Sequence, residues 1–317
     1  MTKSILVTGK SGQLGQSLQK LVEDSSLSRG MTAGAKFTFV GRDELDLACS
    51  DSISAIFSNQ RFDAIINCAA YTAVDKAESE PELANQINHL AVAQLAGIAK
   101  QQSIPLIHIS TDYVFNGQGF KPYVETDATD PQNVYGLTKL KGEQAMQASG
   151  CAGAIIRTSW VYSEFGNNFV KTMLRLGKER DSLNVIFDQV GTPTYATDLA
   201  QAVLVILNAE CSMLNEQQMQ MPEIQNSPRR KYPWGATLKI YHFSNEGVCS
   251  WYDFAKAIFE LSASDCQVNP IETKDYPTPA MRPYYSLMNK AKIKQALPGL
   301  VVPHWRDSLK TYLKNWK

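Results

Sequence analysis

The sequence has no surplus of either charge: 31 lysines and arginines face 31 aspartates and glutamates across 317 residues. That balance removes the electrostatic argument for a nucleic-acid partner. It has no Cys-x-x-Cys, because the six cysteines (Cys49, Cys68, Cys151, Cys211, Cys249 and Cys266) are scattered. Reduced thiols in a cytoplasmic protein are therefore expected. Histidine is scarce, and His89, His108, His242 and His304 lack metal-ligand spacing, so no metal site is expected. No apolar run approaches the ~18 residues of a membrane span. The chain passes from Met1-Thr2-Lys3 straight into a strand, which is read as leaving no room for a signal peptide.

What is present begins with glycine. Ser4 to Thr8 is a short apolar strand, Gly9-Lys10-Ser11-Gly12-Gln13-Leu14-Gly15 follows, and a helix runs through Leu18 and Leu21. Strand, spaced glycines, helix is the context that makes such a motif informative. Gly9 permits the tight turn, Gly12 lets backbone approach a pyrophosphate, and Gly15 lets helix and strand pack closely. The helix N-terminus supplies free N–H groups for phosphate. A Walker loop is excluded, since Lys10-Ser11 lies at the wrong end of the motif.

Residues 24 to 35 read as a loop, and Lys36 to Val40 as the second strand. Dinucleotide folds that take the unphosphorylated cofactor usually carry an acid at this strand end. Here Gly41-Arg42 comes first, and Arg42 with Lys10 or Ser11 suits a 2′-phosphate. NADPH is favoured; Asp43 leaves NADH open. Asp46-Leu47 precedes a short helix, and a third strand, Asp63 to Asn67, runs into Cys68-Ala69-Ala70-Tyr71. Small residues there let backbone approach a cofactor, and Cys68 reads as a packing residue rather than a nucleophile. Pro81 opens a helix to about Gln102, in which Asn88 either faces solvent or supports the site backbone.

A strand from Leu106 ends in Ser110-Thr111-Asp112-Tyr113, and ligands of doubly wound sheets sit at such ends. Thr111 there either caps a turn or hydrogen-bonds a reacting carbonyl. A further helix, Tyr135 to about Ala148, puts Tyr135 and Lys139 on one face, one turn apart. A lysine beside a phenol favours the phenolate. Tyr135 then serves as the acid, Lys139 lowers its pKa and holds a nicotinamide ribose, and Thr111 orients the carbonyl. The cofactor would perform the hydride step.

The second half is less regular. A strand from Ala154 to Thr158 leads to Trp160, which either stacks on a base or sugar or is core. Helices are expected from Asn168 to about Leu176, from Asp198 to about Leu207, and from Trp251 to Leu261 with Ser250 as cap. Strands are expected from Leu183 to Phe187 and Ile240 to Phe243, and residues 211 to 237 read as an exposed excursion. The expected fold is α/β: a Rossmann-like doubly wound parallel sheet, residues 1–160, with a smaller C-terminal substrate-binding domain, residues 161–317. The chain is expected to return to the sheet over about 183–208 and 238–262.

These residues resemble the extended short-chain dehydrogenase/reductases, and among them the dTDP-4-dehydrorhamnose reductase family. The resemblance is carried by Asn67-Cys68-Ala69-Ala70-Tyr71-Thr72-Ala73-Val74-Asp75, by Ser110-Thr111-Asp112-Tyr113-Val114-Phe115, and by Tyr135-Gly136-Leu137-Thr138-Lys139. Arg157-Thr158-Ser159-Trp160, Asp188-Gln189-Val190-Gly191-Thr192-Pro193-Thr194 and Arg282-Pro283 extend it over nearly the whole chain. It implies reduction of the 4-keto group of a dTDP-sugar by NADPH or NADH in a bacterial cytoplasm, feeding surface polysaccharide such as O-antigen. Thr111, Tyr135 and Lys139 are then catalytic. The cofactor set is Gly9 to Gly15, Arg42, Asp46, Leu47, Cys68, Ala69, Ala70, Tyr71, Asn88, Tyr135 and Lys139. The substrate set is Val74, Thr111, Asp112, Tyr113, Tyr135, Trp160, Asn168, Gln189 and Arg282.

Two positions depart from the family pattern. Asn116 replaces an aspartate. Some members dimerise around magnesium held partly by an acid early in the first helix; here that position is Ser17, which offers no carboxylate. A monomer or a homodimer is expected. Two rival readings share the fold: another sugar-nucleotide reductase or epimerase, and a non-catalytic NADP-binding subunit like the regulatory beta subunit of methionine adenosyltransferase.

Overall fold

The computed structural model describes residues 2–24, 34–219 and 238–316. Six strands form one parallel sheet: β1 (Lys3–Thr8), β2 (Ala35–Val40), β3 (Ala64–Asn67), β4 (Leu106–Thr111), β5 (Gly153–Thr158) and β6 (Lys239–His242). Their order is β2-β1-β3-β4-β5-β6. The order reverses beside β1, so a crevice opens at the carboxyl ends of β1 and β3, where such sheets bind ligands.

Side chains alternate across each strand, and the sheet is covered on both faces. From β1, Ile5 and Val7 pack with Leu14, Leu18 and Leu21 of α1 (Gln13–Glu23). Leu6 points the other way, into a cluster with Ile53 and Phe57 of α2 (Ser50–Asn59) and Leu95 of α3 (Ala91–Gln102). Met146 of α4 (Val134–Ser149) joins that second cluster. A third core lies off the sheet, where Val170 and Met173 of α5 (Phe169–Glu179) meet Tyr195, Phe254 and Tyr312.

The returns to the sheet are narrower than the sequence pattern implied. Within 183–208, the strand Ser182–Ile186 pairs instead with Gln267–Ile271, outside the main sheet. Only α6 (Ala196–Met219) comes back, laying Leu199 and Val203 beside α1. Within 238–262, β6 joins β5, whereas α7 (Trp251–Ser262) carries Phe254 and Ile258 into the third core. Apolar periodicity marks an element as buried but does not name the surface that buries it.

Two further differences concern helices. The helix expected to run unbroken from Pro81 is interrupted by a π-helical turn, Gln86–Leu90, between Pro81–Asn85 and α3. The helix expected to stop near Leu207 continues to Met219, so the start of the expected excursion is helical. The remainder of that excursion, 220–237, and most of the expected loop, 25–33, lie outside the described residues.

Candidate active site

The glycine turn is built by close approach. Gly9 has φ +76°, and a Cβ there would stand 2.8 Å from the Ala69 nitrogen. A Cβ on Gly15 would reach 2.1 Å from the Gly9 carbonyl oxygen. The turn therefore rests directly on the Cys68–Ala69 backbone, and only glycine fits it. Gly12 begins α1 with no side-chain cap, which leaves the first helical N–H groups to an anion. These residues fit a dinucleotide pyrophosphate.

Beside the turn, charges are paired. Lys10 Nζ meets Glu44 Oε1 at 2.9 Å, and Glu44 also accepts from the Gly41 N–H at 2.7 Å. Arg42 is largely exposed and lies 3.4 Å from Asp46. Sequence reasoning passed over Glu44, whose carboxylate competes with any 2′-phosphate for Lys10. Asp46 also accepts from the Ala48 N–H in a turn, and Leu47 is buried in the second core.

Some expected contacts are already occupied. Gln13 bridges the two halves: its Nε2 donates to the Val161 carbonyl at 3.1 Å, and its Oε1 accepts from Ser163 and Asn168. Asn168 caps α5 through the Lys171 N–H. Gln189 is buried and donates to Thr273 Oγ1 at 3.1 Å. Asn88 sits in the π turn. Its Oδ1 accepts from the Tyr71 N–H at 2.8 Å, and its Nδ2 donates to the Tyr71 carbonyl at 3.0 Å and to Thr138 at 3.2 Å. It supports the site backbone, and the π turn brings it there.

Thr111 ends β4, and Asp112 and Tyr113 follow it in a 3-10 turn against the start of α4. Tyr113 and Tyr135 meet edge to face at 5.5 Å. Gly136 makes this possible, since a Cβ there would lie 2.3 Å from the Tyr113 carbonyl oxygen. Asn133 caps α4 by accepting from the Gly136 N–H. The Thr111 hydroxyl donates to Asp112 Oδ1 at 3.0 Å, and the Asp112 side chain is buried. Burial pushes the Asp112 carboxyl up to about 6, against the pull of the Ser286 and Thr111 hydroxyls. Burial also pushes the Tyr135 phenol up to about 12, and the Thr111 hydroxyl pulls it back.

The lysine departs from expectation. Lys139 is buried, and its Nζ donates to the Ile109 carbonyl at 2.5 Å and lies 3.3 Å from His108 Nε2. Its contacts are with β4 rather than with the Tyr135 phenol that the one-turn spacing suggested. A buried ammonium is drawn to acceptors, and the Ile109 carbonyl near the end of β4 is one. Burial lowers Lys139 to about 8, and Glu143 opposes that. Sequence reasoning also missed Glu143, which is buried, accepts from Ser110, and is held by Arg157 at 2.7 Å.

Around the other side, Trp160 has φ +48° and stacks on Trp251 at 3.6 Å. A non-glycine residue in that region is strained; its ring is held between Trp251 and Gly191. Arg282 pairs with Asp75 at 2.7 Å, tying the short helix Val74–Ala77 to the segment before the last helices. Asn116 keeps its turn as asparagine, accepting from the Gln118 N–H and the Tyr123 hydroxyl. Ser17 is buried, with its hydroxyl on the Gln13 carbonyl.

The family model of the RmlD substrate binding domain matches residues 2–317. A dTDP-4-dehydrorhamnose reductase of Escherichia coli K12 is 40% identical, with 98% of this chain and 97% of that protein covered. Among solved structures, a dTDP-4-dehydrorhamnose reductase of Clostridium acetobutylicum superposes with a TM-score of 0.84 at 36% identity, covering 98% and 99% of the two chains. One from Bacillus anthracis, solved in complex with NADP, gives 0.81 at 34% identity, covering 99% and 100%. The chain belongs to the dTDP-4-dehydrorhamnose reductase family.

Proposed function

We propose that this chain reduces the 4-keto group of dTDP-4-dehydro-β-L-rhamnose to give dTDP-β-L-rhamnose, with NADPH or NADH as reductant. The observation that carries the reading is the convergence of the Gly9 turn, Thr111 and Tyr135 at one end of the parallel sheet, in a chain of this family. A nicotinamide cofactor bound at the glycine turn supplies the hydride. Gly9, Gly12 and the uncapped start of α1 hold its pyrophosphate. Lys139 holds its ribose and keeps a positive charge one turn from Tyr135. Tyr135 donates its phenolic proton to the carbonyl oxygen, and Thr111 orients that oxygen by hydrogen bonding. Tyr113, Trp160 and Arg282 flank the sugar nucleotide.

Lys10 and Arg42 favour the phosphorylated cofactor; Glu44 tempers that preference. The described helices include none long and apolar enough to cross a membrane, and a cytoplasmic monomer or homodimer suits the reading. The test is product identification. Incubation with the 4-keto sugar nucleotide and NADPH or NADH should release dTDP-L-rhamnose and free oxidised cofactor. Tightly retained cofactor with a sugar epimer as product would replace the reductase by an epimerase.

A further inference from the structure

A buried polar row crosses the sheet beneath the site. Thr8, Asn67 and His108 are register partners on β1, β3 and β4. Thr8 Oγ1 lies 2.6 Å from Asn67 Oδ1, Asn67 Nδ2 lies 3.0 Å from His108 Nδ1, and His108 Nε2 lies 3.3 Å from Lys139 Nζ. All four side chains are almost fully buried, at 1%, 0%, 0% and 1% exposure. A parallel strand buried on both faces usually carries aliphatic residues, and His108 stands between Ile107 and Ile109. An uncompensated imidazole there would be costly.

The row has two internally consistent settings. A charged Lys139 needs acceptors, so Nε2 presents its lone pair. Nδ1 then carries the hydrogen, and the Asn67 amide is reversed from the placement above, with its oxygen toward His108 and its Nδ2 donating to Thr8 Oγ1. A neutral Lys139 accepts instead, so Nε2 carries the hydrogen and Asn67 donates to Nδ1. The imidazole stays neutral in both settings: burial opposes its charge throughout, and in the first a charged ring would also face the ammonium.

We propose that His108, oriented by Asn67 and Thr8, is a positioning residue that holds the Lys139 ammonium in place as its second acceptor, beside the Ile109 carbonyl. The other groups around it are few. From α4 it faces Lys139, with Glu143 one turn on and already paired to Arg157 of β5. From β3 and β1 it faces uncharged Asn67 and Thr8, and from β5 the aliphatic Ile155. The direction of its own titration fits: burial, and then the Lys139 charge, hold it well below the usual histidine range.

The proposal rests on the reductase reading for its kinetic test but not for its spectroscopic one. In His108→Leu the ammonium loses an acceptor, so kcat at neutral pH should fall about 10-fold, the worth of one hydrogen bond to a charged group. The alkaline limb of the kcat profile should move to lower pH, with KM for the sugar nucleotide little changed. His108→Gln, which keeps an acceptor, should recover most of both. An unmoved alkaline limb in a folded His108→Leu protein would overturn the proposal. The second measurement uses the unaltered chain, labelled with ¹⁵N-histidine and read without substrate. His108 should be neutral with hydrogen on Nδ1 below the Lys139 transition, and should exchange to the Nε2 form above it. A charged ring, or one tautomer unchanged across that transition, would overturn the proposal even if His108→Leu failed to fold.

Discussion

Burial sets the protonation of two residues at the candidate site, Tyr135 and Asp112. Tyr135 is held above its ordinary range by burial, so a phenol that keeps its proton until the carbonyl oxygen demands it is what the free protein presents. Tyr135→Phe should lower kcat by roughly 10² to 10⁴, the usual worth of a positioned proton donor, while cofactor binding, read by fluorescence titration, stays close to the unaltered protein. Asp112 is the second case. Its carboxyl is raised to about 6 in the fold, above its value near 4 in an unfolded chain. Its contribution to stability is therefore complete below about pH 4 and is lost as pH rises through about 6. Asp112→Asn should gain stability relative to the unaltered protein between those limits, which thermal unfolding at several pH values would measure. A constant difference across the range would refute the assignment.

At the scale of elements, α4 is the part that assembles the site. Its near face is made of glycine where the chain needs proximity: Gly136 against the Tyr113 carbonyl and Gly142 against the Asn88 carbonyl, where a Cβ would come within 2.3 and 2.2 Å. Gly136→Ala must push the start of the helix, and Tyr135 with it, away from Thr111. The expected cost is about 1–3 kcal/mol of stability, typical of overpacking, and a loss of kcat larger than that of KM. Steady-state kinetics beside a urea titration would separate the two. The sequence announced part of this element, the tyrosine and lysine one turn apart, but not its Asn133 cap. It did not announce where the lysine would turn. Spacing places Cβ atoms on a face, but the Ile109 carbonyl and His108 come from a strand some thirty residues earlier. The π turn at Gln86–Leu90 was equally hidden, because a single inserted residue leaves the apolar pattern of the flanking helices almost unchanged.

Across the whole molecule, the first half was legible and the second only in outline. Alternating strand and helix with a glycine turn after β1 dictates a parallel doubly wound sheet. After Thr158 the chain visits both the sheet and the third core, and short apolar segments such as Ser182–Ile186 do not say which. The two regions are joined by polar ties no periodicity reveals, among them Gln13 to Asn168 and Asp75 to Arg282. A buried polar contact within the sheet predicts acid behaviour. His242 in β6 is held down to about 3, first by burial and then by the Arg157 charge. Its stabilisation is present above its ordinary value near 6.5 and is lost as pH falls toward 3. His242→Gln should flatten the decline of stability over that range in acid unfolding; an unchanged slope would assign the decline elsewhere.

The central claim is the reaction itself, and nicotinamide absorbance tests it most directly. Purified protein is mixed with enzymatically made dTDP-4-dehydro-L-rhamnose and with NADPH and NADH in parallel, each with and without magnesium. The account predicts oxidation of one equivalent of cofactor per dTDP-L-rhamnose formed, with Tyr135→Phe slower by the factor above. Cofactor that binds and is never oxidised by this substrate would contradict it.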